Sequence, residues 1–224
     1  MENNFIYLDN ASTTPLSENV LNIINSTYRN YWHNPSSTYE LGIKCSTYLE
    51  KIRSKIAYIF EADPEDIIFT SGSSESTNIV FNNIYEKFKN GRVVISNVEH
   101  QATTICANKL RKQNWDIYEW TVNNDGILNI SNIEKFLNND TKLVSIIWGQ
   151  SEIGTIQPVQ FIGSKCEELN IMFHLDGTQI LSNGIFSWKD LKCDFLSLSA
   201  HKFGGPKGIG ILLTKEKSRQ ILKN

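Results

Sequence analysis

Seven short apolar runs, separated by longer amphipathic stretches, leave this chain few folds to choose from. They are Asp66–Thr70, Arg92–Asn97, Asp116–Thr121, Lys142–Trp148, Ile171–Asp176, Asp194–Ser199 and Gly208–Leu213. Ile, Val, Phe and Leu dominate them, and several are apolar nearly throughout. A strand wetted on one face alternates in polarity, whereas a strand covered on both faces does not. The intervening segments carry helical periodicity. Val80, Ile84 and Phe88 recur every four residues within Glu75–Phe88. Leu41, Tyr48, Leu49, Ile52, Ile56 and Ile59 form a stripe within Tyr39–Phe60. Pro158 suits the first turn of a helix running to about Leu169. Strands alternating with helices predict an α/β architecture, a largely parallel sheet covered by helices. The first fifteen residues read as irregular, with Pro15 ahead of the first helix.

Composition narrows the function classes. A chain of 224 residues that is 40% hydrophobic has enough apolar matter for one sizeable core, as one large or two small domains. The formal net charge is −2 and no basic block stands out, so a charged nucleic-acid face is not expected. The opening MENNFIYLDN lacks the basic and apolar regions of a signal peptide, and no apolar run approaches membrane-spanning length. A soluble, cytoplasmic chain is therefore expected. Cys45, Cys106, Cys166 and Cys193 show no C-x-x-C spacing, so neither a zinc ribbon nor a dithiol redox site is indicated, and no metal is assigned.

Ligands of open α/β sheets collect at the carboxyl ends of the strands. The first strand delivers TSGSSES (Thr70–Ser76), whose helix start suits an anion and equally suits a serine cap with no ligand. No Gly-Lys-Ser/Thr follows, which rules out a Walker loop. The second delivers Glu99 and His100, a position that also fits a structural or surface histidine. The fourth delivers GQSEIG (Gly149–Gly154), which also reads as a plain turn. The fifth delivers His174 and Asp176, on one side of a strand. A carboxylate at a buried strand end needs a partner: a cationic ring nitrogen, an arginine or a helix N-terminus. The sixth delivers Ser199, His201 and Lys202. An anion cradle, a stackable imidazole, an acceptor for a ring N–H and a lysine amine are together what pyridoxal 5′-phosphate (PLP) requires.

The order of the motifs carries a resemblance. YLDNASTTP (Tyr7–Pro15), NPSS (Asn34–Ser37), FTSGSSESTN (Phe69–Asn78), VEHQA (Val98–Ala102), SEIGTIQP (Ser151–Pro158), HLDGTQ (His174–Gln179) and SAHKFGGPKGIG (Ser199–Gly210) cover nearly the whole chain. In this order they resemble the class V aminotransferase family, and within it the NifS/IscS-like cysteine desulfurases. The resemblance implies the large domain of a PLP-dependent transferase of fold type I. It implies residues 1–15 as a segment of the small domain at the active-site edge, and 16–224 as the PLP-binding large domain. It also implies that Lys202 forms the Schiff base, that His100 stacks on the ring and moves protons, and that Asp176 pairs with the ring nitrogen. Gln179, and Ser151 where the family has asparagine, would face the phenolic oxygen; Ser73, Ser74, Ser199 and His201 would hold the phosphate. The implied substrate is L-cysteine, converted to alanine with sulfur passed to an acceptor for iron–sulfur clusters or thiolated cofactors, in a homodimer.

The chain departs from the family pattern elsewhere too. His33 and Tyr39 flank NPSST where the family has glycine and histidine. The family's RSGT segment, small domain and loop cysteine have no counterpart among these residues. The expectation is therefore a fragment, or one half of a split enzyme whose C-terminal part is encoded separately. The competing readings are a non-catalytic remnant acting by association and another class V reaction, a transamination or a lyase.

Overall fold

The computed structural model describes residues 6–223, so the first five residues of the expected irregular N-terminal segment lie outside the described residues. All seven expected strands are present: β1 (Ile67–Thr70), β2 (Arg92–Ser96), β3 (Asp116–Trp120), β4 (Thr141–Ile147), β5 (Met172–Asp176), β6 (Phe195–Ser199) and β7 (Gly210–Thr214). They form one sheet in the order β1-β7-β6-β5-β4-β2-β3. β3, β2, β4, β5 and β6 run parallel, and β7 is antiparallel to both its neighbours, β6 and β1. The reversal of β7 follows from its short link to β6, because a parallel return requires a crossover of a dozen residues or so.

Helices cover both faces, as the unbroken apolar strands require. The α-helices among the described residues are α1 (Glu18–Asn30), α2 (Glu40–Phe60), α3 (Ser73–Phe88), α4 (Gln101–Arg111), α5 (Val159–Glu168) and the short α6 (Glu216–Arg219). Val80, Phe81 and Ile84 of α3 and Leu110 of α4 pack with Val93, Ile95, Leu143 and Phe195 on one face. Ala57 and Phe60 of α2 and Ile162 of α5 pack with Val94, Val144, Leu175 and Leu196 on the other. Consecutive residues of one strand, such as Leu143 and Val144, thus serve opposite cores. No helix among the described residues is long and apolar enough to cross a membrane.

The stripe expected on α2 is not what that helix buries. Gly42, Cys45, Ala57 and Phe60 face inward, while Leu41, Leu49 and Ile59 are exposed. Gly42 is small because the preceding turn folds back on it: a Cβ there would stand 2.3 Å from the Ser37 carbonyl oxygen. α1 buries no residue at all. Leu21, Ile23, Tyr28 and Trp32 on and after it, with Ile43 of α2, are exposed and form no part of either core.

One glycine fixes how the strand ends meet. Gly210 opens β7 between Thr70 of β1 and Ser199 of β6. A Cβ there would lie 2.4 Å from the Leu198 carbonyl oxygen and 2.6 Å from the Gly72 Cα. Both obstacles are backbone, so neither can swing away. Gly210→Ala is expected to cost about 1–3 kcal/mol, the usual range for overpacking. Denaturant titration should show a lower midpoint; an unchanged midpoint would mean that the loop after β1 is free to move.

Candidate active site

β1, β6, β5, β4 and β2 all point their carboxyl ends to the same edge, and a polar cavity of about 240 Å³ opens there. All nine residues singled out from the sequence line it: Ser73, Ser74, His100, Ser151, Asp176, Gln179, Ser199, His201 and Lys202. A larger groove of about 390 Å³ lies between α2 and the β6–β7 edge. Its lining, which includes Ile56, Phe60, Ile185 and Ile211, is apolar and carries no group for chemistry.

The anion end is built by α3. Gly72 precedes the helix and gives it no side-chain cap. The Ser73 N–H donates to Ser199 Oγ at 2.8 Å. Ser199 accepts that bond and keeps its own hydroxyl proton for another partner. The Ser74 side chain is exposed at the same helix start. Uncapped N–H groups, the helix dipole and several hydroxyls together favour a bound anion.

The carboxylate end is built by β5. Asp176 is 3% exposed, at the last position of the strand, in register with Ile147 of β4 and Ser197 of β6. Its Oδ1 accepts the Thr178 N–H at 3.0 Å and also the Thr178 hydroxyl. Oδ2 remains for a ligand. Thr178 Oγ1 also stands 2.5 Å from Ser73 Oγ, so one threonine links the carboxylate to the anion end. Beneath Asp176, His174 is fully buried, with Nδ1 2.8 Å from Ser145 Oγ and Nε2 2.7 Å from Ser197 Oγ. Burial pushes its pKa down to about 3, so it is a neutral strut tying β4, β5 and β6 together.

Lys202 follows β6, in a short 3-10 turn. Its Nζ donates to the carbonyl oxygens of Ala11 at 2.7 Å and Ser12 at 2.9 Å. Burial lowers its pKa from the ordinary lysine value, against the opposing pull of Asp176 and Asp9. Gln179 Nε2 donates to the same Ala11 oxygen at 2.7 Å. His201 Nδ1 lies 3.1 Å from Thr13 Oγ1, and its pKa is lowered by burial and then by the charges of Lys202 and Lys207. His100 is the N-cap of α4, and its Nδ1 accepts the Ala102 N–H at 3.1 Å. A nitrogen that accepts carries no proton, so the neutral ring is the Nε2–H tautomer.

Sequence reasoning missed three contributors. Thr178 had a local signal, since an Asp two residues before an N–H is the Asx-turn spacing. The Ala11–Thr13 turn had only its place in a motif, because its role depends on contacts about 190 residues away in the chain. Glu99 had none, since nothing local says that a glutamate's carboxyl is enclosed.

A site with a lysine, a carboxylate, an imidazole and an uncapped helix start at one strand edge belongs to a PLP-type enzyme scaffold. The aminotransferase class-V family model matches residues 6–224, and the chain belongs to that family. It is 34% identical to a mitochondrial cysteine desulfurase of Eremothecium gossypii over 96% of this chain and 44% of that one. It is likewise 34% identical to the cysteine desulfurase IscS of Pseudoalteromonas translucida, over 97% of this chain and 55% of that one. A solved NifS-like protein superposes with a TM-score of 0.91 at 32% identity, covering 94% of this chain and 59% of that chain. A structure described as SspA in complex with cysteine gives 0.89 at 30% identity, covering 95% and 62%. The chain spans about half the length of the curated relatives it matches. PLP is the cofactor of this family, and the residues fit it: donors for a phosphate, Asp176 Oδ2 for a ring N–H, and an amine with lowered basicity.

The His174 strut has a measurable consequence. Between its folded pKa of about 3 and the ordinary 6.5, the unfolded chain takes up a proton that the folded chain refuses. Its contribution to stability is present above the unfolded value and is lost as the pH falls. Its ring resonances should remain those of neutral imidazole down to about pH 5. Titration of that ring near the ordinary value would show that solvent reaches the strut.

Proposed function

We propose that this chain is the cofactor-binding part of a PLP-dependent cysteine desulfurase, taking L-cysteine to L-alanine and passing the sulfur to a thiol acceptor. The observation that carries the reading is Lys202 and Asp176 facing one cavity with the uncapped start of α3. Cysteine desulfurases among the relatives support the substrate. PLP bound there supplies an electron sink for negative charge developing beside the substrate nitrogen.

The residues divide the work. Ser73, Ser74, Ser199 and His201 hold the phosphate. Asp176 keeps a proton on the ring nitrogen through a charge-assisted hydrogen bond. Lys202 holds the cofactor covalently; burial favours its neutral, nucleophilic form. His100 presents its Nε2 edge for proton transfer, with its tautomer set by the Ala102 N–H. Gln179 and Ser151 face the phenolic side, where serine has the shorter reach.

Sulfur transfer requires a thiol: cysteine and an acceptor thiol give alanine and a persulfide. Cys45, Cys106, Cys166 and Cys193 are all buried, and none lines the cavity. Burial also raises the pKa of Cys106, Cys166 and Cys193, which suppresses the reactive thiolate. The acceptor thiol is therefore supplied from outside these residues. The exposed apolar side chains of α1 and α2 support self-association as a homodimer. The setting is cytoplasmic, as for bacterial IscS relatives, with iron–sulfur or thio-cofactor assembly downstream.

Borohydride treatment of the PLP-loaded chain should leave the cofactor mass on the Lys202 peptide; label elsewhere would overturn the assignment. Asp176→Asn should weaken PLP retention by about tenfold or more, the worth of a hydrogen bond to a charged group. Glu167→Gln, at an exposed ion pair with Lys192, should change it by less than about twofold. Equal effects of the two would remove Asp176 from the site. The chain alone should form little alanine from cysteine. Repeated turnover without any partner would show that a thiol of this chain suffices.

A further inference from the structure

The proposed chemistry makes no use of Glu99, the residue before His100. Part of Glu99 reaches solvent, but its carboxyl does not: Oε2 is enclosed and has no hydrogen-bond partner. Oε1 accepts two bonds, from the Ser96 hydroxyl at 2.5 Å and from the Ile147 N–H at 2.7 Å. Ser96 ends β2 and Ile147 ends β4. The pairing of those two strands stops at Ile95 and Ser145, so Glu99 joins them beyond the last ladder pair. Ile147 in turn stands opposite Asp176. One side chain therefore connects the turn carrying His100 to the strand beside Asp176.

An ionised carboxylate here would leave charge on an oxygen with neither water nor donor, which is costly. The titratable groups around it give little relief. Asp176, at the end of β5, repels a second negative charge, and His100 lies one residue on with its Nδ1 already taken by Ala102. Lys202 is drawn to Asp176 and to Asp9. Burial first, then Asp176, raises the Glu99 pKa to about 8, against the lowering effect of the bonds from Ser96 and Ile147. Two bonds into Oε1 make it the carbonyl oxygen, and the proton therefore sits on Oε2.

We propose that Glu99 is a positioning residue that works as a neutral carboxylic acid, bracing the His100 turn against the ends of β2 and β4 while leaving Asp176 as the cavity's negative charge. A carboxylate in its place would compete with Asp176 for any cationic ligand nitrogen. The proposed function enters only in giving His100 a reaction to serve. The test uses the full chain without cofactor, so its failure leaves the PLP reading standing.

The first measurement is thermal stability from about pH 5 to about pH 9, for the wild type and for Glu99→Gln, an amide of the same shape. Between the ordinary 4.5 and about 8, the folded chain keeps a proton that the unfolded chain has lost. Glu99 therefore makes stability fall as the pH rises, and the amide cannot. E99Q should gain on the wild type with rising pH, by roughly 5 °C or more at the alkaline end. Comparing the two proteins cancels the effect of His174, which acts on both. Parallel curves would overturn the neutral acid. The second measurement is the nitrogen NMR signature of the His100 ring. Wild type and E99Q should share the Nε2–H tautomer, and Glu99→Ala should give a mixture. If E99A does not fold, Glu99→Asp, whose shorter stem withdraws from Ile147, takes its place. An unchanged His100 ring in E99A or E99D, or a ring disturbed as much in E99Q, would show that Glu99 does not position it.

Discussion

The hydrogen bonds from Thr178 to Asp176 are the contact on which the rest of the site depends. A carboxylate that is 3% exposed must be satisfied by the protein, and Thr178 satisfies one oxygen completely enough to leave the other free. The same hydroxyl reaches Ser73, so the negative and anion-binding ends of the cavity are fixed relative to each other by one side chain. That spacing holds because β5 and β6 are parallel and in register, with Asp176 opposite Ser197. The His174 strut, bonded to a serine on either side, ties three strands one layer below. Strand pairing thus sets the separation of the reacting groups, as a bound ligand needs: an error of an ångström can cost on the order of a hundredfold in rate.

The architecture was legible because it is written in local patterns. Apolar runs without alternation gave seven strands, with ends correct to one or two residues, and the strand ends together with the family resemblance gave nine of the residues that line the cavity. What was not legible was long-range. The α2 stripe at Leu41, Leu49 and Ile59 had the right period for a buried face, but Ala57 and Phe60 are the α2 residues in the core. Periodicity shows that a helix has an apolar side; it does not show which neighbour covers it. The enclosure of the Glu99 carboxyl and the reach of Lys202 to Ala11 likewise depend on segments that are adjacent only in three dimensions.

The stripe that the core does not use also has a physical meaning. Leu21, Ile23, Trp32, Leu41 and Ile43 are each exposed, on α1, α2 and the turn between them. An ordinary soluble surface scatters such residues singly, and grouped ones mark a surface that another chain or domain covers. α1 adds no residue to either core and is joined to the sheet through Ser17 and Gly204, next to the lysine turn. Covering that surface would therefore also steady the loop that carries Lys202. Such a cover would link assembly to the site through packing, in a chain that spans about half the length of its curated relatives.

Two opposed influences act on the Lys202 amine, and their balance explains how it can be both held and reactive. Carbonyl oxygens of Ala11 and Ser12 stabilise the ammonium form and fix its position. Burial favours the neutral form, and its effect exceeds the attraction of Asp176 and Asp9. A cationic ligand nitrogen beside Asp176 would neutralise that carboxylate and weaken its hold on the lysine proton, tipping the balance further toward the free amine. A neutral Glu99 adds no further charge beside Asp176, so Asp176 and Asp9 remain the carboxylates that act on the lysine. Engagement of Asp176 by such a nitrogen would thus shift Lys202 further toward its nucleophilic form. The arrangement requires one buried carboxylate at this strand edge to be charged and its neighbour to be neutral.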